Sequence, residues 1–239
     1  LSLKESILQE TPDAKLFLKY YLQSPVYSDN PFTTTIEPAE PFSLGLLVTN
    51  AGFGTARNMR ITSAQPEIVR NDRELLIAFQ ILGTQLWTHV DQANGELIKR
   101  VIFSPPTSPS LTVNLGDIQW QESAVGRWVM TVSLQGRFID YKASFERTGL
   151  YGNLGPPLIQ NDTIFELNHM VYLDGALDDG LPDFLVDDPP SVQQDEIPDV
   201  IHASDGTVRT LHFIDLRKHP RALDSVVAST DLTAQLVVP

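Results

Sequence analysis

The chain has 239 residues, 42% of them hydrophobic and 20% charged, a balance that excludes wholesale disorder and suits one large or two ordinary domains. Its formal charge is −13 and it has no cysteine, which excludes disulfides and thiolate metal sites and argues against nucleic acid as a partner. No apolar run reaches membrane-spanning length and no signal peptide opens the chain; Leu1 at one end and Leu-Val-Val-Pro at the other read as the ends of a piece of a longer polypeptide.

Many short alternating segments, punctuated by 14 glycines and 17 prolines, predict an all-β fold. The first is Lys15 to Leu22, with Leu16, Leu18, Tyr20 and Leu22 on one face. Pro25 to Pro41 reads as a connection, with a turn at Asp29-Asn30-Pro31. Phe42, Leu44, Leu46 and Val48 then alternate with Ser43, Gly45, Leu47 and Thr49, the pattern of a half-buried strand. Met59 and Ile61 mark a returning strand. Between the two, Gly52 and Gly54 suit a turn with positive φ, which Asn50 also tolerates.

Gly52-Phe53-Gly54 after an apolar strand is the opening of a dinucleotide fingerprint, but the rest of that fingerprint is missing. Arg57 stands where a third glycine is needed, and the following residues have strand periodicity, so no helix N-terminus faces a pyrophosphate. The residues Val48, Asn50, Gly52, Gly54, Ala56, Asn58, Met59 and Ile61 instead resemble the turn signature of conserved-repeat and cell-adhesion-related (CARDB-like) Ig-like domains. That resemblance covers about twenty residues. It implies an Ig-like sandwich within a large secreted or surface protein, and it implies no substrate.

Leu75, Ile77, Phe79 and Ile81 share one face of the next segment, and Leu86–Val90 with Leu97–Phe103 form a hairpin through Asn94-Gly95. Ser104 to Pro109 (SPPTSP) is a rigid extended loop, because proline fixes φ and cannot join a ladder. Strands follow at Leu111–Leu115, Ile118–Gln121 and Arg127–Leu134, the last with Trp128, Met130, Val132 and Leu134 on one face, and Ile139 to Phe145 continues the pattern. Trp120 and Trp128 read as core aromatics. Residues 1–150 are thus expected to form a two-sheet antiparallel β-sandwich domain, which the resemblance implies is Ig-like. The Gly- and Pro-rich run from Thr148 to Pro157 marks a boundary. Residues 151–239 form a second, smaller β domain, with strands at Thr163–Leu173, Val200–His202, Thr207–Asp215 and Leu232–Val238 and an acidic loop from Asp174 to Pro198. So few strands make a thin core, which a neighbouring segment or subunit would complete.

Charge is unevenly placed. From Thr148 to Val208 there are twelve acidic residues and no Lys or Arg, so this segment carries −12 and the remainder −1. Within it, Asp179-Gly-Leu-Pro-Asp183 resembles the calcium repeats of thrombospondin-type modules, with Asp174 and Asp178 one residue out of register; these four aspartates are the candidate calcium ligands. Asn161-Asp-Thr is the one glycosylation sequon. No two of the five histidines have the spacing of a zinc helix, and His169 falls on the face of Phe165, Leu167 and Val171, where a boundary histidine is expected. There is no G-x-S-x-G elbow and no cysteine nucleophile, so no catalytic residue and no further cofactor is assigned. The expected role is a non-enzymatic structural or adhesive segment of an extracellular surface or filament protein, partnered by neighbouring copies or domains or by glycans. The alternative is a carbohydrate-binding accessory module with a platform drawn from Tyr20, Tyr21, Tyr27 and Trp87.

Overall fold

A computed structural model describes residues 13–23, 25–63, 67–68, 77–91, 97–103, 112–136, 138–140, 143–146, 159–173, 179–187, 198–213 and 233–236. Their regular structure is strand throughout, with no helix among the described residues. The strands are β1 (Leu16–Gln23), β2 (Phe42–Asn50), β3 (Ala56–Ser63), β4 (Glu67–Ile68), β5 (Phe79–Asp91), β6 (Leu97–Phe103), β7 (Thr112–Ile118) and β8 (Ser123–Val132). They continue as β9 (Phe138–Asp140), β10 (Ala143–Glu146), β11 (Ile159–Val171), β12 (Asp183–Asp187), β13 (Val200–His202), β14 (Val208–Phe213) and β15 (Thr233–Leu236).

Ten strands form one sheet in the order β15-β14-β13-β12-β11-β1-β2-β8-β5-β6, three form a second sheet, β10-β3-β7, and β4 pairs with β9. The sandwich expected from the alternating pattern lies between the two larger sheets. Leu16, Leu18, Tyr20 and Leu22 of β1, Leu44, Leu46 and Val48 of β2, and Trp128 and Met130 of β8 supply one wall. Met59 and Ile61 of β3, with Val113 and Leu115 of β7, supply the other. Burying such rows drives the assembly, at about 25 cal/mol for each Å² of apolar surface removed from water.

The sheet is mixed. β1 pairs in parallel with β11, from Leu16↔Ile159 to Gln23↔Leu167, and β14 pairs in parallel with β15. Strands on both sides of residues 151–158 therefore belong to one sheet. Its second face is apolar too: Tyr21, Leu47, Trp87 and Val125 pack with Leu167, Leu181, Phe184 and Val186. Phe184 sits on β12, two places from β1 in the strand order, yet its ring stacks on Tyr21 of β1 at 3.8 Å. A Cβ added to Gly45 of β2 would come within 2.6 Å of the same ring. The sheet curls back over itself, as the right-handed twist of many adjacent strands allows. For this reason β2 is buried on both faces rather than half-buried.

The Asn50–Ala56 connection is a corner and not a hairpin turn. β2 joins β1 and β8, whereas β3 joins β7 and β10 in the other sheet. Asn50 fixes this corner from a fully buried position. Its Oδ1 accepts hydrogen bonds from the N–H of Gly52 at 3.0 Å and of Lys15 at 3.2 Å. Its Nδ2 donates to the carbonyls of Gly54 at 2.7 Å and Ile118 at 3.0 Å. Gly52 is needed for close approach rather than for positive φ, because any Cβ would collide with the backbone of Asp13, Ala14 and Lys15. The left-handed residue of the signature is Asn58 (φ 49°), at an irregularity in the β3–β7 ladder, where its N–H bonds the Asp117 carboxylate at 2.8 Å.

Candidate functional site

The acidic segment contributes a strand that its composition conceals. Asp183 to Asp187, expected within a loop, is β12, and it lies between β11 and β13 with Phe184, Leu185 and Val186 buried. The two aspartates Asp179 and Asp183 bind the turn that leads into it. Asp183 is 3% exposed; its Oδ2 accepts from Leu173 N–H at 3.0 Å and its Oδ1 from Ser204 N–H at 2.8 Å. Ser204 Oγ donates to Asp179 Oδ2 at 2.6 Å, and Asp179 Oδ1 accepts from Leu181 N–H at 2.8 Å. Gly180 between them is left-handed (φ 71°). Burial raises the Asp183 carboxyl above its ordinary value, against the opposing pull of the two N–H groups that favour its ionised form.

Three of the four carboxylate oxygens of this pair thus tie the turn to the end of β11 and to the β13–β14 connection, and the fourth, Asp179 Oδ1, closes the turn itself. Asp174 and Asp178, the other candidate calcium ligands, lie outside the described residues. Among the described residues no three carboxylate or imidazole side chains are gathered as a metal would require.

Beside this turn, His202 is buried on the second face of the sheet, with Nδ1 3.2 Å from the Tyr21 hydroxyl and its ring edge-on to Phe165 at 4.4 Å. His169, expected at a buried boundary, is exposed instead, because the β11–β12 register shifts between Leu167 and His169. The side chains of His89 and His212 and all of His219 lie outside the described residues. Asn161 is placed within β11, opposite Phe17, because the strand begins before its expected start at Thr163. Arg127 of β8 is half-buried among neutral partners: its Nε and Nη2 bond Ser43 Oγ at 3.0 and 2.7 Å, and its Nη1 bonds Gln85 Oε1 at 3.2 Å. Burial lowers its pKa, partly offset by the nearby Tyr172.

Of the nominated aromatic platform, Tyr20, Tyr21 and Trp87 are buried in the two cores, and Tyr27 alone is exposed. Trp128 is a core residue as expected. Trp120 is 48% exposed and lies against Phe53 at 5.4 Å, because it occupies the tight turn between β7 and β8 instead of a strand.

Tyr27 borders an open groove of about 290 Å³ lined by Pro25, Val26, Tyr27, Pro31, Phe32, Gln135 and Gly136. Its shape comes from the loop between β1 and β2, which is tied down at several points. Val26 and Gly136 exchange backbone hydrogen bonds at 2.9 and 3.1 Å, Gln135 N–H bonds Asp29 C=O at 3.0 Å, and Glu40 N–H bonds Tyr27 C=O at 3.0 Å. Buried Ser28 donates to Val132 C=O at 2.7 Å. The expected turn is present at Asn30, whose Oδ1 accepts from Phe32 N–H at 3.0 Å. Within the loop, Asp29 Oδ1 and Glu37 Oε2 accept the N–H groups of Glu37 and Asn30 at 3.1 and 2.8 Å. Sequence reasoning missed Phe32, which is 69% exposed. Its place in the groove depends on the Val26–Gly136 bridge, and no local pattern encodes that.

Comparison with family models, with curated proteins and with solved structures returned no match to this chain. Among the described residues no helix is long and apolar enough to cross a membrane.

Proposed function

We propose that the chain is a non-enzymatic structural or adhesive segment of a long extracellular surface or filament protein, built from CARDB-like β units and associating with neighbouring copies. The observation that carries this reading is the parallel β1–β11 ladder. It joins strands from both halves of the chain by backbone hydrogen bonds, so a pull on one half is resisted by the sheet and not by a flexible joint. The use of buried polar side chains supports the same reading. Asn50, Ser28 and Asp183 each bond backbone groups, Ser204 Oγ donates to the Asp179 carboxylate, and all four hold the fold. The extracellular setting and calcium at the acidic loop belong to this proposal, as does a division near residue 150 between two units that share one sheet.

Sedimentation of the purified chain over a wide concentration range, with electron microscopy of the heaviest species, tests the reading. Concentration-dependent association into ordered particles is expected. A chain that stays monomeric at every concentration while turning over a glycan or peptide substrate overturns it.

A further inference from the structure

We infer that the exposed ring pair Phe53 and Trp120 is a glycan-binding platform, and that it takes β-linked, gluco-configured units of a neutral polysaccharide. This deepens the reading of the chain as an adhesive segment, on which it rests, by giving adhesion a ligand and a site.

Two short loops present the rings. Phe53 is 73% exposed between Gly52 and Gly54, and Trp120 is 48% exposed in the turn between β7 and β8. Their centroids lie 5.4 Å apart with planes tilted by 34°. Asn50 holds both loops. Its side chain bonds Gly52 N–H and Gly54 C=O, on either side of Phe53. Its backbone N–H donates to Glu122 C=O at 2.9 Å, and its C=O accepts from Gln121 N–H at 2.8 Å, just beyond Trp120. The turn is closed by Glu122 N–H on Gln119 C=O at 3.2 Å and by Gln119 N–H on Glu122 Oε2 at 3.0 Å. Gln121 within it is left-handed (φ 61°), a conformation that residues with a Cβ adopt rarely. The rings are therefore fixed before a ligand arrives, so little ordering is left for the moment of binding.

Amides border the rings. Gln119 and Gln121 flank Trp120 in the turn, and both are exposed. Thr55 Oγ1 donates to Gln119 Oε1 at 2.6 Å, so this amide is anchored by its oxygen and keeps both N–H donors for a ligand. Apolar rings with a few amide donors beside them match a pyranose, which carries C–H groups on its faces and hydroxyls around its edge. A β-linked gluco-configured unit holds every substituent equatorial, so both faces can lie flat on a ring, whereas the axial hydroxyl of a mannose unit interrupts one of them. Other occupants fit less well. Two aromatic side chains bury at most about 300–500 Å², short of the about 800 Å² that each side of a stable protein contact removes from water. The chain's charge of −13 opposes anionic lipid headgroups and acidic glycans.

The test titrates cellohexaose and chitohexaose into the full chain, followed by tryptophan emission and by NMR. Trp87 and Trp128 are buried, so Trp120 is the tryptophan that a sugar can reach. Saturable binding of at least one of the two is expected, at least tenfold tighter than that of β-1,4-mannohexaose. Trp120→Ala and Phe53→Ala each weaken it at least tenfold, and Trp120→Phe, which keeps a ring, weakens it less. Both rings are exposed, so these variants keep the fold, which circular dichroism checks. Absence of saturable binding of either sugar, or equal binding to the alanine variants, overturns the inference, and mannohexaose binding as tightly overturns the gluco assignment. So does a Trp120 emission shift produced by phosphatidylcholine vesicles and not by the sugars, which would make the pair a membrane contact. Self-association lost in Trp120→Ala without any sugar binding would make it a contact between copies and overturns the platform as well. A chain that associates in sedimentation yet binds no sugar keeps the structural role, while a sugar-binding chain that stays monomeric keeps the platform, so the two failures are distinct.

Discussion

Replacing Asn50 with alanine tests whether one side chain holds the corner between the two sheets. The side chain is fully buried and makes four hydrogen bonds, to Lys15, Gly52, Gly54 and Ile118. Each such bond contributes about 1 kcal/mol net, and a buried group left without its partner costs about 1–3 kcal/mol, so Asn50→Ala should cost about 3–5 kcal/mol. For a chain of this size each kcal/mol lowers Tm by about 2–4 °C, which gives a fall of about 6–20 °C. Asn50→Asp separates the donors from the shape. Its second carboxylate oxygen would face the Gly54 and Ile118 carbonyls, so the new acid is harder to ionise in the fold than in the unfolded chain. Its penalty is then full above its raised folded pKa and shrinks as pH falls through that value, when an O–H can serve one carbonyl. Urea unfolding of wild type and both variants between pH 4 and 8 measures these terms. An Asn50→Ala chain within 2 °C of wild type, or an Asn50→Asp chain whose deficit is independent of pH, would refute the account of the corner, since about 1 kcal/mol is the least that one lost bond costs.

Gly45→Ala places a Cβ 2.6 Å from the Phe184 ring, and forced overpacking of this kind should cost about 1–3 kcal/mol; a Phe184→Leu partner change recovers part of it, and additive losses would show that the ring does not lie over β2. Asp183 gives a pH signature: its folded pKa lies above the unfolded 3.8, so wild type loses stability relative to Asp183→Asn as pH rises from about 3.8 through the raised value, and a difference that grows in the opposite sense contradicts the burial argument. Calcium at Asp174, Asp178, Asp179 and Asp183 predicts a Tm increase on adding millimolar calcium, about 2.7 kcal/mol of stabilisation when the ion is 100-fold above its Kd, and an identical Tm with and without chelator removes the site.

The parts of the fold that follow from local pattern were legible in the sequence. Alternation placed Leu16, Leu18, Tyr20 and Leu22 on one face of β1, and Trp128, Met130 and Val132 on one face of β8, and all of them are buried. The Val48–Ile61 signature marked residues that matter, although the reason for Gly52 was hidden. Gly52 serves a close approach that exists only after Asp13 to Lys15 fold against the corner. What depends on distant pairing was not legible. β12 lacks alternation because Phe184, Leu185 and Val186 are buried on both faces, and the flanking aspartates give the segment the look of a loop. No periodicity in β1 foretells β11, more than a hundred residues away. Once that ladder forms and the sheet curls, Tyr21 and Leu47 become core on a face that the alternation reads as exposed or polar. The candidate site divides in the same way. Tyr27 could be nominated as an aromatic, but the concavity it borders arises from strand-end bridges across the whole first half of the chain.

The uneven charge restricts how copies can meet. Residues 148–208 carry −12 and the rest of the chain −1, so contact between two acidic segments is opposed by repulsion, while contact through the first half is not. Salt therefore distinguishes the two modes of association. Raising ionic strength shortens the screening distance from about 30 Å at 0.01 M to about 3 Å at 1 M, which relieves repulsion between acidic faces but hardly alters apolar contacts made through the first half. Association through the first half should change by less than about threefold between 50 and 500 mM NaCl, because rim charges act mainly on the association rate. A tenfold strengthening with salt would place acidic segments in contact across the interface. A tenfold weakening would mean that the surface facing the acidic segment is basic, and since the chain's 17 Lys and Arg all fall outside residues 148–208, that surface would have to come from residues 1–147 or 209–239.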